Sequence, residues 1–421
     1  MAIAILRAKS VGLLVGVSLA ISLGWWLSAP EAEIEIAGPV HFGPMDEVLA
    51  RLATSGEDLG AAIHRMGEAL PGYDDVVVLA DGNLLVSSMD GWIWQVLSAE
   101  GRVERWVEAP LMPAGLRIAP DDPDLIYFCS AHLHGAVYPA EERVGLYSVR
   151  RSTGKIDPIV LDVPRELGRS SVPQVFSQQS PARYAGTRPL AFCNDLDVSA
   201  DGQRIYFSEP FAYAGASMGG GAVAEAISLG NHGRLWMHDR SSGVTILVAR
   251  AFFFLDGVLI EPRPDGGRED SLLVTETTRF RIQRLFVGGA RAGTHSVVWQ
   301  NLPGMPDGLD RDSLGNVWVG LLGLRSTTTD WIHAHPWIKP LLLRLPTHWI
   351  PRREATGILA LSPDMTRALY LGLHEGSSVH DVSVAIPAEG RIYLASFDPE
   401  QRGLVWIPTP DLGAALERAD P

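Results

Sequence analysis

The sequence predicts an all-β fold, a six-bladed β-propeller, preceded by an N-terminal transmembrane anchor helix. Three observations carry the propeller. First, a polar residue (alanine in one copy), then a small or acidic one, then an apolar run recurs six times: Asp74-Asp75-Val76, Ala114-Gly115-Leu116, Asn194-Asp195-Leu196, Asp256-Gly257-Val258, Asp307-Gly308-Leu309 and His380-Asp381-Val382. Second, each opening leads through an alternating run and an Asp/Gly/Pro turn to a second run rich in Val, Ile, Leu, Tyr and Trp, the pattern of paired strands. Third, 43 glycines and 29 prolines supply many turns. Repeated β units of this kind bury their faces against each other around a central channel.

Residues 1–10 carry Arg7 and Lys9 and are expected in the cytoplasm. Residues 11–29, VGLLVGVSLAISLGWWLSA, hold no charge and are about long enough to cross a bilayer as a helix. Trp25 and Trp26 stand near the far end, where interfacial aromatics belong. The expectation is a retained single-pass signal anchor with the remainder periplasmic or extracytoplasmic. The alternative is a cleaved signal peptide, against which no good small-x-small cleavage site precedes Pro30.

Residues 30–59 read as a linker with a short helix in MDEVLARLA, and residues 60–408 as the propeller. Within it, residues 60–67 are expected to close the last blade as an outer strand, which removes an open edge. Blade one runs through GWIWQVLSAEGRVERWV; blade two holds YFCSAHLHGAVYPA and GLYSVRRSTGKIDPIV. Pro164 to Pro189 reads as an inserted loop, and residues 210–230 as a second insertion, in blade three. Blade four is expected to end near LFVGG and blade five near LYLGLHEG. The insertion TTTDWIHAHPWIKPLLLRL has three readings: membrane contact, a pocket wall, or packing over the propeller side. Residues 409–421 read as a loose tail.

A net charge of −14 argues against a nucleic-acid groove. Cys129 and Cys193 are either bridged or two buried thiols, and no CxxC or Cys/His cluster supports zinc. No GxSxG elbow is present, and the GGG of residues 219–221 lacks the GK[ST] of a phosphate loop.

The inner strand of every propeller blade starts beside the channel, so the six opening positions are expected to form a ring. Asp74, Asn194, Asp256 and Asp307 then bring three carboxylates and one amide together. Like charges at close range cannot all ionise without a counter-cation. Oxygen donors with no thiolate favour Ca²⁺ over Zn²⁺. Taken singly, each residue is equally a turn or strand cap. Asp75 and Asp195 point the other way along their strands and read as structural.

The phrases PGYDDVVVLADGNLLVSSMDGWIWQV, FCNDLDVSADGQRIYFSEP, NHGRLWMHD, LLVTETTRFRIQRLFVGG, NLPGMPDGLDRDSLGNVWVGL, HPWIKPLLLRLP and RIYLASF stand in family order over most of residues 60–405. The chain thereby resembles the strictosidine synthase-like branch of the gluconolactonase and paraoxonase superfamily, and most of all the adipocyte plasma membrane-associated protein group. The resemblance implies a six-bladed propeller, with a single N-terminal signal anchor in several members. It also implies a metal site: Asp74 stands where a glutamate ligand is usual, Asn194 matches an asparagine ligand, Asp256 replaces an asparagine and Asp307 matches an aspartate. The catalytic glutamate of the synthase has no counterpart in Ser377-Ser378-Val379-His380-Asp381-Val382-Ser383, which argues against the alkaloid-forming condensation. Paraoxonase-like enzymes use histidines near the metal. MPAGLRI has none, and His132 and His134 lie loosely where such histidines occur.

The function expected is calcium-dependent hydrolysis of a small-molecule ester or lactone, of the arylesterase or lactonase type, by a protein held at the membrane through its N-terminal helix. Asp307 or His380 activates water, His380 being the better base; its alternative is a channel-filling residue. The competing reading is a non-catalytic propeller that binds partners and uses the metal as a structural pin.

Overall fold

The computed structural model describes residues 34–55, 58–213, 215–263, 267, 269–350 and 354–419. The predicted cytoplasmic segment 1–10 and anchor 11–29 lie outside them. Among the described residues, no helix is long and apolar enough to cross a membrane.

Six antiparallel sheets surround one channel. The inner strands are Tyr73–Val78, Met112–Ala119, Leu196–Val198, Leu255–Ile260, Gly304–Arg311 and Val382–Ala388, in blades one to six. Second strands such as Leu84–Ser88 and Arg391–Ser396 are buried along nearly their whole length, because neighbouring blades cover both faces. The outer strand Arg102–Glu108 has no such cover and carries Arg and Glu. An N-terminal strand closes the ring, but later than residues 60–67: Leu59–Ala62 is a 3-10 turn, and His64–Pro71 pairs with Arg402–Pro408, His64 opposite Trp406. The Tyr73 hydroxyl locks this seam, donating to Leu394 O (2.8 Å) and accepting from Val405 N (2.8 Å).

Several boundaries differ from the expectation. Blade four does not end near LFVGG. Gly289 and Gly293, at φ 65° and 86°, turn the chain back so that Thr294–Trp299 forms its fourth strand. Pro164 to Pro189 is a ribbon rather than a loop: Asp162–Glu166 pairs with Tyr184–Pro189, and Gln174–Val175 adds a fifth strand to blade three. The tail forms a helix, Leu412–Ala419, whose first turn donates to Asp411 Oδ1. Its Leu412 and Leu416 pack on the core of blades five and six, beside the expected helix Glu47–Ser55.

Inner strands start on one face of the propeller, so every connection from a second to a third strand returns to that face. The long connections 132–144, 210–232 and 325–355 therefore all gather around the channel mouth. They touch one another: His134 N donates to Met218 O, and Lys339 Nζ to Ser228 O. Cys129 and Cys193 are bridged, with a Cα–Cα distance of 5.0 Å, which ties blade two to the residue before Asn194.

Candidate metal centre

The ring positions share one local device. The inner strand opens with a register shift between Tyr73 and Asp75, between Leu255 and Val258, and between Pro306 and Leu309. A bulge of this kind re-aims a side chain out of the sheet. Asp74, Asp256 and Asp307 all stand in such bulges, and Asn194 immediately precedes its strand. The close approach of blades at this level has a second requirement. A Cβ on Gly257 would overlap the carbonyl of Asp307, and one on Gly308 the side chain of Val384.

The ring is laced through its own backbone. Asp74 O accepts from Ser383 Oγ (2.9 Å), Asn194 O from Gly115 N (2.8 Å) and Asp307 O from Thr275 Oγ1 (2.8 Å). Blades one, three and five are each gripped by the blade before them.

Asp74, Asn194, Asp256 and Asp307 meet around one small enclosed space, with Asp75, Gly115, Asp195 and Ser383 on its wall. The free room is about 10 Å³, that of a single water-sized sphere. Asp256 and Asp307 are buried, and Asp74 is half-buried. Burial first, and the charges of Asp75, Asp256 and Asp195 next, hold the Asp74 carboxyl well above the usual carboxylate range. Asp307 is raised well above it too, by burial and then by the charge and hydrogen bond of Asp256. Asp256 is itself raised by burial and accepts from the Asn194 amide and, at 3.4 Å, from Thr277 Oγ1. Among the described residues, no group of three His, Cys, Asp or Glu residues is spaced as a ligand set. The donor set itself, three carboxylates and one amide with no thiolate, is of the kind that suits a hard divalent cation.

The sixth ring position differs from the expectation. Val382 pairs with Ser396 and Val384 with Ala395, so the residue in the bulge is Ser383. His380 stands three residues before it. Its Nε2 lies 3.1 Å from Asp398 Oδ2 and its Nδ1 4.0 Å from Asp381 Oδ2. His132 and His134 are exposed on the mouth-side connection 132–144.

Below the ring lies a second tier that the sequence reading did not single out. Arg117, on the inner strand of blade two, sends its guanidinium into the channel. Its Nη1 meets Asp75 Oδ2 at 2.9 Å, its Nη2 donates to Leu309 O at 3.2 Å, and Asp195 and Asp197 each stand 3.9 Å away. Burial opposes this charge, but Asp75, Asp195, Asp310 and Asp197 outweigh it and hold the group more firmly protonated. Asp75 Oδ2 also accepts from Leu116 N (2.8 Å), and Asp195 Oδ2 from Val258 N (2.8 Å), so both aspartates clamp the following blade. Both were expected to point away from the ring residues, yet both also line the space that those residues share. Burial still pushes Asp195 up to about 8.

No family model matches the chain. The adipocyte plasma membrane-associated protein of Salmo salar is 27% identical over 296 residues, 68% of this chain. Strictosidine synthase-like 10 of Arabidopsis thaliana is 25% identical over 325 residues, 73% of this chain and 74% of that protein. The chain is a relative of these proteins. It spans 61% of the length of the salmon protein. Among solved structures, the gluconolactonase of Xanthomonas campestris superposes with a TM-score of 0.51 at 16% identity, over 91% of this chain and 99% of that one. At that identity the likeness speaks to the propeller fold alone.

Proposed function

We propose that the protein is a calcium-dependent hydrolase of esters or lactones. One observation carries the reading: oxygen-bearing side chains from four separate blades face one enclosed space with more carboxylate than their neighbours neutralise. Asp74, Asn194, Asp256 and Asp307 would hold the ion. When bound, it supplies Lewis-acid polarisation of a carbonyl oxygen. The remaining work falls to the chain itself. Asp398 fixes the His380 ring by accepting from Nε2, which leaves the Nδ1 lone pair to take a proton from water. Asp381, on the Nδ1 side, stabilises the imidazolium that results. Half-buried Leu133, Tyr213, Phe254 and Phe397, all from mouth-side connections, keep the approach apolar and exclude bulk water. The names of the salmon and other relatives, plasma membrane-associated, support reading residues 11–29 as an anchor.

A panel of aryl esters and lactones, assayed with the full chain, tests this. Turnover that EDTA removes and calcium chloride restores, and that Asp307→Ala lacks while keeping its circular dichroism, is the expected result. Calcium that raises the melting temperature with no turnover of any substrate would support the metal-pinned binding propeller instead.

A further inference from the structure

Ten large apolar side chains stand exposed among the described residues, and six of them lie on connections that leave the mouth side of the propeller. Three are indoles on the blade-five insertion: Trp331 at 47% exposure, Trp337 at 63% and Trp349 at 65%. Trp331 and Trp337 meet edge to face at 6.1 Å, so they form one knob rather than scattered residues. Exposed indoles are costly in water and suited to the boundary between headgroups and acyl chains.

The knob rests on a rigid base. Ser326 Oγ caps the helix Thr327–Ala334 through Thr329 N at 3.1 Å, and Arg325 grips Asp330 with contacts of 2.8–3.0 Å. The N-terminal segment is built into the same base. Val40 N donates to His333 O (2.9 Å), Ala37 N to Ser228 O (2.9 Å), and Arg325 Nη1 to Gly43 O (2.8 Å). The chain that leads from the uncharged run 11–29 therefore enters the domain beside the three indoles. Seven residues separate Ala29 from Ala37. At full extension they span at most about 28 Å. A bilayer that holds residues 11–29 must lie within that reach of the insertion.

We infer that the blade-five insertion is a second membrane contact, in which Trp331, Trp337 and Trp349 dock on the bilayer surface and turn the channel mouth toward it. The occupant is lipid: three exposed indoles stand on one insertion, two of them in contact, and the tether fixes the bilayer on that side. The opposite face carries the blade-five turn with Leu314, 78% exposed, and points away into water. This goes beyond the hydrolase reading and needs no substrate to test.

The test uses nitroxide labels on the full chain in vesicles of phosphatidylcholine and phosphatidylglycerol. The cysteines at 129 and 193 are bridged and no described cysteine is free, so Trp337→Cys and Leu314→Cys each offer one thiol to the label. Both positions are exposed, so neither substitution threatens the core. The label at 337 should collide with lipid-soluble oxygen several-fold more than with a water-soluble nickel chelate, and the label at 314 should show the reverse. Equal access of the chelate to both labels on vesicle-bound protein overturns the docking, and so does protein that fails to float with the vesicles. Neither readout depends on catalytic turnover, so failure here is distinguishable from failure of the hydrolase reading.

Discussion

Arg117 Nη1 lies 2.9 Å from Asp75 Oδ2, and the same carboxylate oxygen accepts the backbone N–H of Leu116. One aspartate of blade one thus holds both the main chain and the side chain of blade two. Because the Arg117 guanidinium continues to Leu309 O in blade five and faces Asp195 and Asp197 in blade three, a single cation ties blade two to three other blades across the axis.

Removing that cation leaves buried carboxylates without a partner. Breaking one side of a buried ion pair costs about 3–5 kcal/mol, more than most single substitutions. Arg117→Met should lower stability in denaturant unfolding by that amount. Adding Asp75→Asn should recover part of the loss, since the two residues act on each other. Strictly additive effects would show that the contact does no stabilising work.

The ring above behaves oppositely with pH. The carboxyls of Asp74, Asp256 and Asp307 are all raised, by burial before any other cause. Between their ordinary value near 3.8 and the raised folded value, the folded state binds more protons than the unfolded one. Stability of metal-free protein therefore falls as pH rises through that window. Calcium competes with those protons, so the gain in melting temperature on adding calcium chloride should grow from pH 5 to pH 8. A gain that shrinks over this range would contradict a site built from these carboxylates.

Four of the ring residues were legible because Asp or Asn before an apolar run marks the same phase of each repeat. Blade six broke the pattern. His380-Asp381-Val382 imitates the opening, but the bulge lies one step inside the strand, where Ser383 carries no charge to announce it. Arg117 was illegible for a different reason. An arginine in LRIAP reads as an ordinary half-exposed strand residue, and its partners at 75, 195, 197 and 309 lie in three other blades that only the closed ring brings together. The helix Leu412–Ala419 was missed because eight residues are too few for a helical pattern to outweigh the look of a tail; packing, not propensity, stabilises it.

The disulfide makes a separate prediction. It closes a loop of 64 residues and holds Cys193 beside Asn194. Chain entropy puts its worth at about 4 kcal/mol. Cys129→Ser with Cys193→Ser should lower the melting temperature and also weaken calcium binding, read by titration calorimetry, because the Asn194 segment loses its tie to blade two. Destabilisation with unchanged calcium affinity would separate the bridge from the site.

His333 supplies a pH dependence far from the ring. It is the buried residue of the blade-five helix Thr327–Ala334, packs edge to face on Phe42 at 5.8 Å, and leaves Nδ1 without a hydrogen-bond partner. Burial first, then the nearby charges of Lys339 and Arg279, push it down to about 3. Between that value and its ordinary 6.5, the unfolded chain binds a proton that the folded chain refuses. Stability therefore rises with pH across this window and is complete above the ordinary value. Acidifying from pH 7 to pH 5 should cost about 2 kcal/mol through this residue alone. His333→Phe keeps the contact with Phe42 and removes the proton, so its stability should vary less over the same range than that of the unmodified chain, measured by urea unfolding in calcium-saturated buffer. Identical slopes for the two proteins would mean that the imidazole finds a way to charge inside the fold.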